Sequence, residues 1–414
     1  MHAAMSSAPA TTKSDAGIIA DDMHPFLRRY KDGRVERLAV SAFVPPSEAP
    51  GPAGVATRDV VVDRATGVAA RLFLSVGAAA TGRRLPLVVY FHGGAFCTGS
   101  AFSELYHRYA AALSARAGAL VVSVEYRLAP EHPVPAAYDD AWAALRWVAS
   151  LADPWLTCHA DPERVFLAGE SAGANIVHNV AARSASSAAA GGFDIEGIVL
   201  LQPFFWGPER LPSERDRHDG PVFSPEFVDT LWPFLTAGAA GNDDPRINPP
   251  AGEVMSLPCR RALVAVAAKD VARDRGCRYA AWLRHGERRR EVTLVESEGE
   301  DHGFHLYRPA RASAVALMDL VAKFIDGGAA QPLPITAAAE SGLHRHGCPE
   351  VHLRVPEDTS KICRSCRAGN NAFVAGQKAP ATSFRRELGR TNSTEQARKG
   401  PFAPPAGLVA KSCL

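Results

Sequence analysis

The sequence of 414 residues predicts an α/β protein: a mostly parallel sheet with an N-terminal antiparallel hairpin and helices on both faces. Three observations carry that expectation. Short stretches such as Leu87-Val88-Val89-Tyr90-Phe91 and Leu263-Val264-Ala265-Val266-Ala267 are apolar without alternation, as strands covered on both faces are. Ala-rich segments long enough to be crossover helices separate them. Ahead of them, residues 58–63 and 68–74 read as two strands joined by the turn Arg64-Ala65-Thr66-Gly67, which makes a hairpin.

In chain order, residues 1–23 are expected to be a flexible N-terminus, and the domain to span 24–327. His24-Pro25-Phe26-Leu27-Arg28-Arg29-Tyr30 suggests a short helix ended by Gly33, and the Pro- and Gly-rich stretch 45–54 a loop. The sheet strands are then expected at 87–91, 119–124, 164–168, 197–201, 263–267 and 291–295. Helices fit at 102–117, 137–151, 172–184, 271–285 and 311–325. The gap between Leu201 and Leu263 is too long for one crossover. It holds Phe204, Phe205, Trp206, Phe223, Phe227, Trp232 and Phe234, a candidate cap, lid or pocket wall. After Gly327 the periodicity stops, and the sparse aromatics Phe373, Phe384 and Phe402 make 328–414 a disordered basic extension by expectation.

Composition narrows the function. At 47% hydrophobic and 22% charged the chain matches ordinary globular usage, which excludes global disorder and a fibrous repeat. The stretch 328–414 carries 12 Lys and Arg against 6 Asp and Glu, a net +6, and leaves 1–327 at −4. A mildly acidic core has no electrostatic footprint for nucleic acid. No apolar run approaches the ~20 residues of a membrane span. The first twenty residues lack the apolar core of a secretory leader, so a cytoplasmic, reduced protein is expected, with Cys97, Cys158, Cys259 and Cys277 as thiols. In the extension only Cys363-Arg364-Ser365-Cys366 has zinc-like spacing, and with no second pair it predicts no metal site.

Gly169-Glu170-Ser171-Ala172-Gly173 fits Gly-x-Ser-x-Gly, a pattern that chance alone would place in roughly one chain in seven of this length. Context strengthens it. The strand at 164–168 runs into the pattern and a helix-capable segment follows, the strand-turn-helix of a nucleophile elbow. The turn demands almost no side chain two residues before and two after the serine, hence Gly169 and Gly173. Ser171 would then stand exposed at a helix N-terminus, where the dipole favours developing negative charge. His92-Gly93-Gly94-Ala95-Phe96 leaves the strand at 87–91, and paired glycines let backbone N–H groups meet an oxyanion closely. Gly93, Gly94 and Ala172 are the candidate oxyanion donors, with His92 holding the loop. A reactive serine needs a base and a carboxylate that orients it. Asp270 follows the strand at 263–267, and His302 follows the one at 291–295. Asp274 and His305 compete, but Asp274 falls one helical turn on and His305 leads away from the site.

Taken together, HGGAFCTGSA from His92, SVEYRLAPEHPVPAAYDD from Ser123, GESAGAN from Gly169, KDVARDRG from Lys269 and GEDHGFHLY from Gly299 resemble a plant carboxylesterase. The resemblance is to the hormone-sensitive-lipase branch of the α/β-hydrolase family, which includes the gibberellin receptors, and it covers residues 24–326. It implies the α/β-hydrolase fold, Asp270 and His302 as acid and base, and an N-terminal segment around 26–30 that helps to cap the pocket. Tyr126 to Glu131 is then a brace for the oxyanion region. Ala95 departs from the pattern, where related esterases often carry Gly. The expected activity is hydrolysis of small carboxylic esters through an acyl-enzyme, with a small-molecule ester as partner and no cofactor or metal. A gibberellin-receptor-like binder is the alternative, disfavoured because His302 is retained. A dehydratase is the other, disfavoured by Ser171 where such enzymes commonly carry Thr.

A chain truncated after Gly328 should keep its fold and its esterase activity within a factor of a few, measured by thermal melting and turnover of a short aryl ester. Aggregation on truncation, or release of stoichiometric zinc from the full chain, would make the extension a structural element.

Overall fold

The computed structural model describes residues 17–186, 194–215, 223–286 and 290–327, all within the unit Met1–Cys348. The expectations for residues 1–16 and for 328–414, Cys363 and Cys366 included, lie outside the described residues. Eleven strands are described: β1 (Ile19–Met23), β2 (Leu27–Tyr30), β3 (Val35–Arg37), β4 (Val55–Asp63), β5 (Val68–Ser75), β6 (Leu85–Phe91), β7 (Leu120–Glu125), β8 (Ala160–Glu170), β9 (Ile195–Leu201), β10 (Arg261–Ala267) and β11 (Glu291–Ser297). The last eight form one sheet in the order β11-β10-β9-β8-β6-β7-β5-β4. The six strands from β6 to β11 run parallel, and the β4–β5 hairpin joins antiparallel through β5. Every strand expected from the sequence is present.

Strand pleat decides what covers each face. Val88, Tyr90, Phe166, Val199 and Leu263 point to one side and pack with Leu113 of α1 (Glu104–Ala117) and Leu317, Val321 and Phe324 of the closing helix, Ala312–Asp326. Leu87, Val89, Leu167, Leu200 and Val264 point to the other. There they meet Ala141 and Leu145 of α2 (Pro135–Ala149), Ile176 and Val180 of α3 (Ala172–Ser186), and Leu283 of the helix Arg273–His285. The absence of alternation in these strands is thus the imprint of two apolar faces.

The N-terminal region differs from expectation. Residues 27–30 are strand β2, not a helix, in a separate three-stranded sheet β1-β2-β3. The reason lies in cross-strand pairing: β1 and β2 oppose Asp22 to Arg28 and Asp21 to Arg29, and both pairs form salt bridges, at 3.2 and 2.6 Å. Leu27 of the same strand is fully buried. Because β1 already begins at Ile19, the expected flexible segment ending at 23 overlaps an ordered strand. Arg37 of β3 ties the sheet to the main body through Glu131 and the Cys97 carbonyl. Cys97 is a buried thiol, whereas Cys158 is disulfide-bonded, which corrects the expectation of a thiol there.

The aromatic-rich gap builds the helix Pro225–Leu235 and divides its rings between two tasks. Trp232 is buried against Phe96, and Phe205 stacks on Tyr279 at 4.7 Å, both core contacts. Phe223 and Phe227 instead meet Phe26 from the N-terminal sheet, at 5.7 and 6.1 Å. Phe26→Ala removes the ring that joins these elements. It should cost about 3 kcal/mol in denaturant melts and raise KM more than it lowers kcat, since Phe26 also lines the cavity over Ser171.

Candidate active site

Ser171 follows β8 directly and precedes the first residue of α3, with φ +53 in the left-handed region. The turn closes without room for side chains on either flank. A Cβ on Gly169 would lie 2.3 Å from the Gly173 carbonyl oxygen, and one on Gly173 would lie 1.9 Å from that of Phe91. The strained residue is held on both sides: its N–H donates to the Leu201 carbonyl at 2.9 Å, and its carbonyl accepts from Phe204 at 3.1 Å.

Asp270 sits three residues past the end of β10 and His302 five past the end of β11. The parallel order brings both to the carboxyl edge beside Ser171. His302 Nε2 lies 2.8 Å from Ser171 Oγ, and His302 Nδ1 lies 2.7 Å from Asp270 Oδ2. Asp270 is almost wholly buried, and its second oxygen accepts the Ala272 amide at 2.9 Å, which orients the carboxylate. Burial alone would lower the His302 pKa, but the charge and hydrogen bond of Asp270, aided by Glu170 and Asp301, raise it to about 9.

The competitors are engaged elsewhere. Asp274 accepts from the Ser213 amide and from Arg273, each at 2.8 Å. His305 is buried between Tyr109 and Phe304, and burial pushes its pKa down to about 3.

The glycine loop leaves β6, whose Phe91 pairs in register with Gly169 of β8, so loop and elbow are neighbours by sheet pairing. His92 is buried, is driven down to about 4 by that burial, and bonds through Nδ1 to the Gly93 carbonyl at 2.7 Å. Tyr126 stacks on it at 4.3 Å and donates to its backbone carbonyl at 2.7 Å, the bracing expected of the segment from Tyr126 to Glu131. Gly94 has φ +101, and a Cβ there would meet the Thr98 carbonyl oxygen at 2.2 Å. Gly94 and Ala95 line the cavity beside Ser171, and Ala172 opens α3 next to them. All the candidate residues therefore gather at one edge of the sheet.

A model of a family described by the alpha/beta hydrolase fold matches residues 88–306, more than half of the chain. The chain belongs to that α/β-hydrolase family. Among its relatives, a 2-hydroxyisoflavanone dehydratase of Glycyrrhiza echinata is 41% identical over 336 residues, 78% of this chain and 100% of the relative. Probable carboxylesterase 3 of Arabidopsis thaliana is 40% identical over 73% of this chain and 96% of its own. A solved thermostable carboxylesterase cloned from a metagenomic library, EstE1, superposes with a TM-score of 0.57 at 30% identity, covering 70% of this chain and 92% of the other. The hydrolase thus stands with the plant carboxylesterases, as its sequence blocks suggested.

Two spaces meet at Ser171 of this hydrolase. A cavity of about 630 Å³ opens above it, bounded by Phe26, Lys269, Tyr307 and Arg308 among others. A slot of about 20 Å³ runs beneath, walled by Phe204, Trp206, Val228 and Leu231. Three aromatics of the long gap, Phe204, Trp206 and Phe223, therefore form pocket walls as anticipated. Among the described residues, no group of three or more His, Cys, Asp or Glu is placed to hold a metal.

One residue of the site escaped sequence reasoning. Glu170, inside the Gly-x-Ser-x-Gly block, is buried beside Ser171, lies 3.8 Å from His302 Nε2 and is pushed up to about 7 by burial. The available signal was its place in that block, where an ionisable residue next to the serine has to go somewhere.

Gly173→Ala tests the elbow's geometry. A methyl cannot fit against Phe91, so the variant should melt at least about 1–3 kcal/mol less stable, or fail to fold, while Gly252→Ala, whose Cβ meets nothing within 4 Å, should be close to neutral.

Proposed function

We propose that the protein is a serine carboxylesterase acting through an acyl-enzyme, and the observation that carries the reading is the unbroken chain Ser171–His302–Asp270 at 2.8 and 2.7 Å. Ser171 Oγ attacks the ester carbonyl carbon while its proton passes to His302 Nε2. The carbonyl π electrons move onto oxygen, and the N–H groups of Gly93, Gly94 and Ala172 receive that oxyanion. As the tetrahedral species collapses, the bond to the alkoxy oxygen breaks and His302 returns the proton to the departing alcohol. Water repeats the cycle on the acyl-enzyme, giving carboxylic acid and free Ser171. Asp270 keeps Nδ1 protonated, so that Nε2 is the lone pair facing the serine, and it stabilises the imidazolium. No step requires a cofactor.

Similarity to 2-hydroxyisoflavanone dehydratase supports a second reading, elimination of water from a hydroxylated ring substrate in the same cavity. The serine at the elbow favours acyl transfer, because a nucleophile with a base at 2.8 Å is not needed for elimination. The non-catalytic binder is opposed by the same contact. A reporter fusion distinguishes the cytoplasmic location expected from sequence from the plastid locations in the names of the tulip relatives.

Ser171→Ala should lower kcat for a short-chain aryl ester by roughly 10⁴-fold or more without altering the melting curve, and an organophosphate should label Ser171 stoichiometrically. Asp270→Asn should lose far more activity than Asp274→Asn. Full activity in Ser171→Ala, or an equal loss at the two aspartates, overturns the mechanism. Turnover of a 2-hydroxyisoflavanone with none of any ester would favour the dehydratase.

A further inference from the structure

We propose that Glu170 is a positioning residue for this reaction: from beneath the glycine loop its carboxylate holds His302 in the protonated form and thereby sets the pH at which Ser171 becomes reactive. The proposal rests on the esterase reading and adds to it a group outside the three residues named above.

The geometry is specific. Glu170 is the last residue of β8, so its backbone is fixed by pairing with Leu201 of β9. Its side chain turns back under the loop after β6, where Gly93 makes way for it: a Cβ on Gly93 would lie 1.9 Å from Glu170 Oε2 and 2.7 Å from Cδ. Gly93 is thus glycine for the sake of the carboxylate beneath it as well as for the oxyanion above. Among the described residues, the one ion pair of Glu170 is with His302, Oε1 to Nε2 at 3.8 Å, while hydrogen bonds from the Gly93 backbone and the Tyr106 side chain favour the carboxylate against its burial. A carboxylate taken out of water without a cation nearby is costly, so a buried Glu beside the base has a reason to be ionised when that base is charged.

The distances separate two functions. At 2.8 Å Ser171 Oγ takes the hydrogen bond of Nε2, while at 3.8 Å Glu170 is too far to compete for it yet near enough to feel the charge. Glu170 therefore stabilises the imidazolium formed during attack without withdrawing the proton that the leaving alcohol needs. The other ionisable groups around the pair are accounted for. Asp270 is bonded to Nδ1, and Asp301 accepts the His302 amide at 2.7 Å. His305 stays neutral through burial, and Tyr90, Tyr106, Tyr109, Tyr126 and Tyr307, which face Glu170, are all held above the ordinary phenol range by burial and so remain neutral. Of the cations on the cavity wall, Arg311 is paired with Glu300, and Lys269 and Arg308 lie exposed at the mouth.

The signs follow. Burial lifts Glu170 to about 7, and carboxylate neighbours lift His302 to about 9 against its own burial. Between those values the two form an ion pair. Above the upper one His302 is neutral and can accept the serine proton, so kcat/KM rises with pH on a limb that Glu170 displaces to the alkaline side.

The experiment compares full-length wild type, Glu170→Gln and Glu170→Asp in kcat/KM for a neutral aryl acetate from pH 5 to 10. Melting curves and organophosphate labelling of Ser171 establish that each variant is folded and has its serine in place. Glu170→Gln, which keeps the shape and removes the charge, should move the limb down by about one unit or more, so that its activity at pH 6 relative to its own plateau rises about tenfold. Glu170→Asp, which keeps the charge, should stay nearer to wild type. A folded, labelled Glu170→Gln with the wild-type limb overturns the proposal, as does an equal shift in both variants, which would mean that packing alone matters. If Ser171→Ala retains full activity the esterase reading fails. If that variant is inactive and the Glu170→Gln limb is unmoved, only the role of Glu170 fails.

Discussion

Contact between the backbone of the elbow and the end of β6 is the constraint on which the site depends. Gly173 packs where any Cβ would overlap the carbonyl oxygens of both Phe91 and His92. That approach draws α3 down onto the carboxyl edge of the sheet, and it places the glycine loop, which begins at His92, against the serine. The left-handed backbone of Ser171 is the cost, on the order of 1–2 kcal/mol for a residue with a Cβ. It is offset by hydrogen bonds to Leu201 and Phe204 and by burial of the strands and helix that flank it. A less strained serine would sink back into the strand, so the strain and the exposure of Oγ come from one geometry.

The glycine loop raises the same problem three times. Gly94, Ala95 and Phe96 all have positive φ, and two of them carry a Cβ. The conformation persists because distant segments clamp it. Phe96 is buried edge-on against Tyr138 of α2 and Trp232 of the helix Pro225–Leu235, its carbonyl takes the Ala129 amide, and Tyr126 stacks on His92. Trp232, Tyr138 and Tyr126 thus fix the backbone of the loop. Trp232, from a segment far along the chain from the glycines, acts on them through Phe96 without touching the serine.

What could be read in the sequence divides along the range of the forces involved. The six parallel strands and the helices on either face were legible because burial on two faces leaves a local apolar pattern. The elbow was legible because sterics forbid side chains at Gly169 and Gly173, and Asp270 and His302 because strand ends in a parallel sheet must deliver their loops to one edge. The strand at 27–30 was not, since three short strands have no apolar signature of their own; the charge complementarity of Asp21 and Asp22 with Arg28 and Arg29 was the overlooked cue. The division of labour among the aromatics was also hidden, because whether Phe205 stacks on Tyr279 or lines the pocket depends on where two distant helices pass. Glu170 was hidden for a third reason. Strand alternation puts it on the same side as Ala168, but only the tertiary fold shows that the space it enters is the one vacated by the missing side chain of Gly93.

Gly169, Glu170, Ser171, Ala172 and Gly173 form a five-residue turn whose members answer to different demands. The glycines are steric, the serine faces the pocket, and the glutamate faces the imidazole from below. An imidazole between two carboxylates, at 2.7 and 3.8 Å, is a stronger base than one beside a single carboxylate, and for the same reason a larger share of it is protonated at neutral pH. More basic histidine takes the serine proton more readily once neutral, yet is neutral less often. Where the balance falls depends on how far burial holds Glu170 in its protonated, uncharged form, because a neutral Glu170 leaves Asp270 as the main support for the imidazolium. The site therefore couples its base to a second titrating group whose own affinity for protons is set by its burial beneath the glycine loop, in the space that Gly93 leaves open.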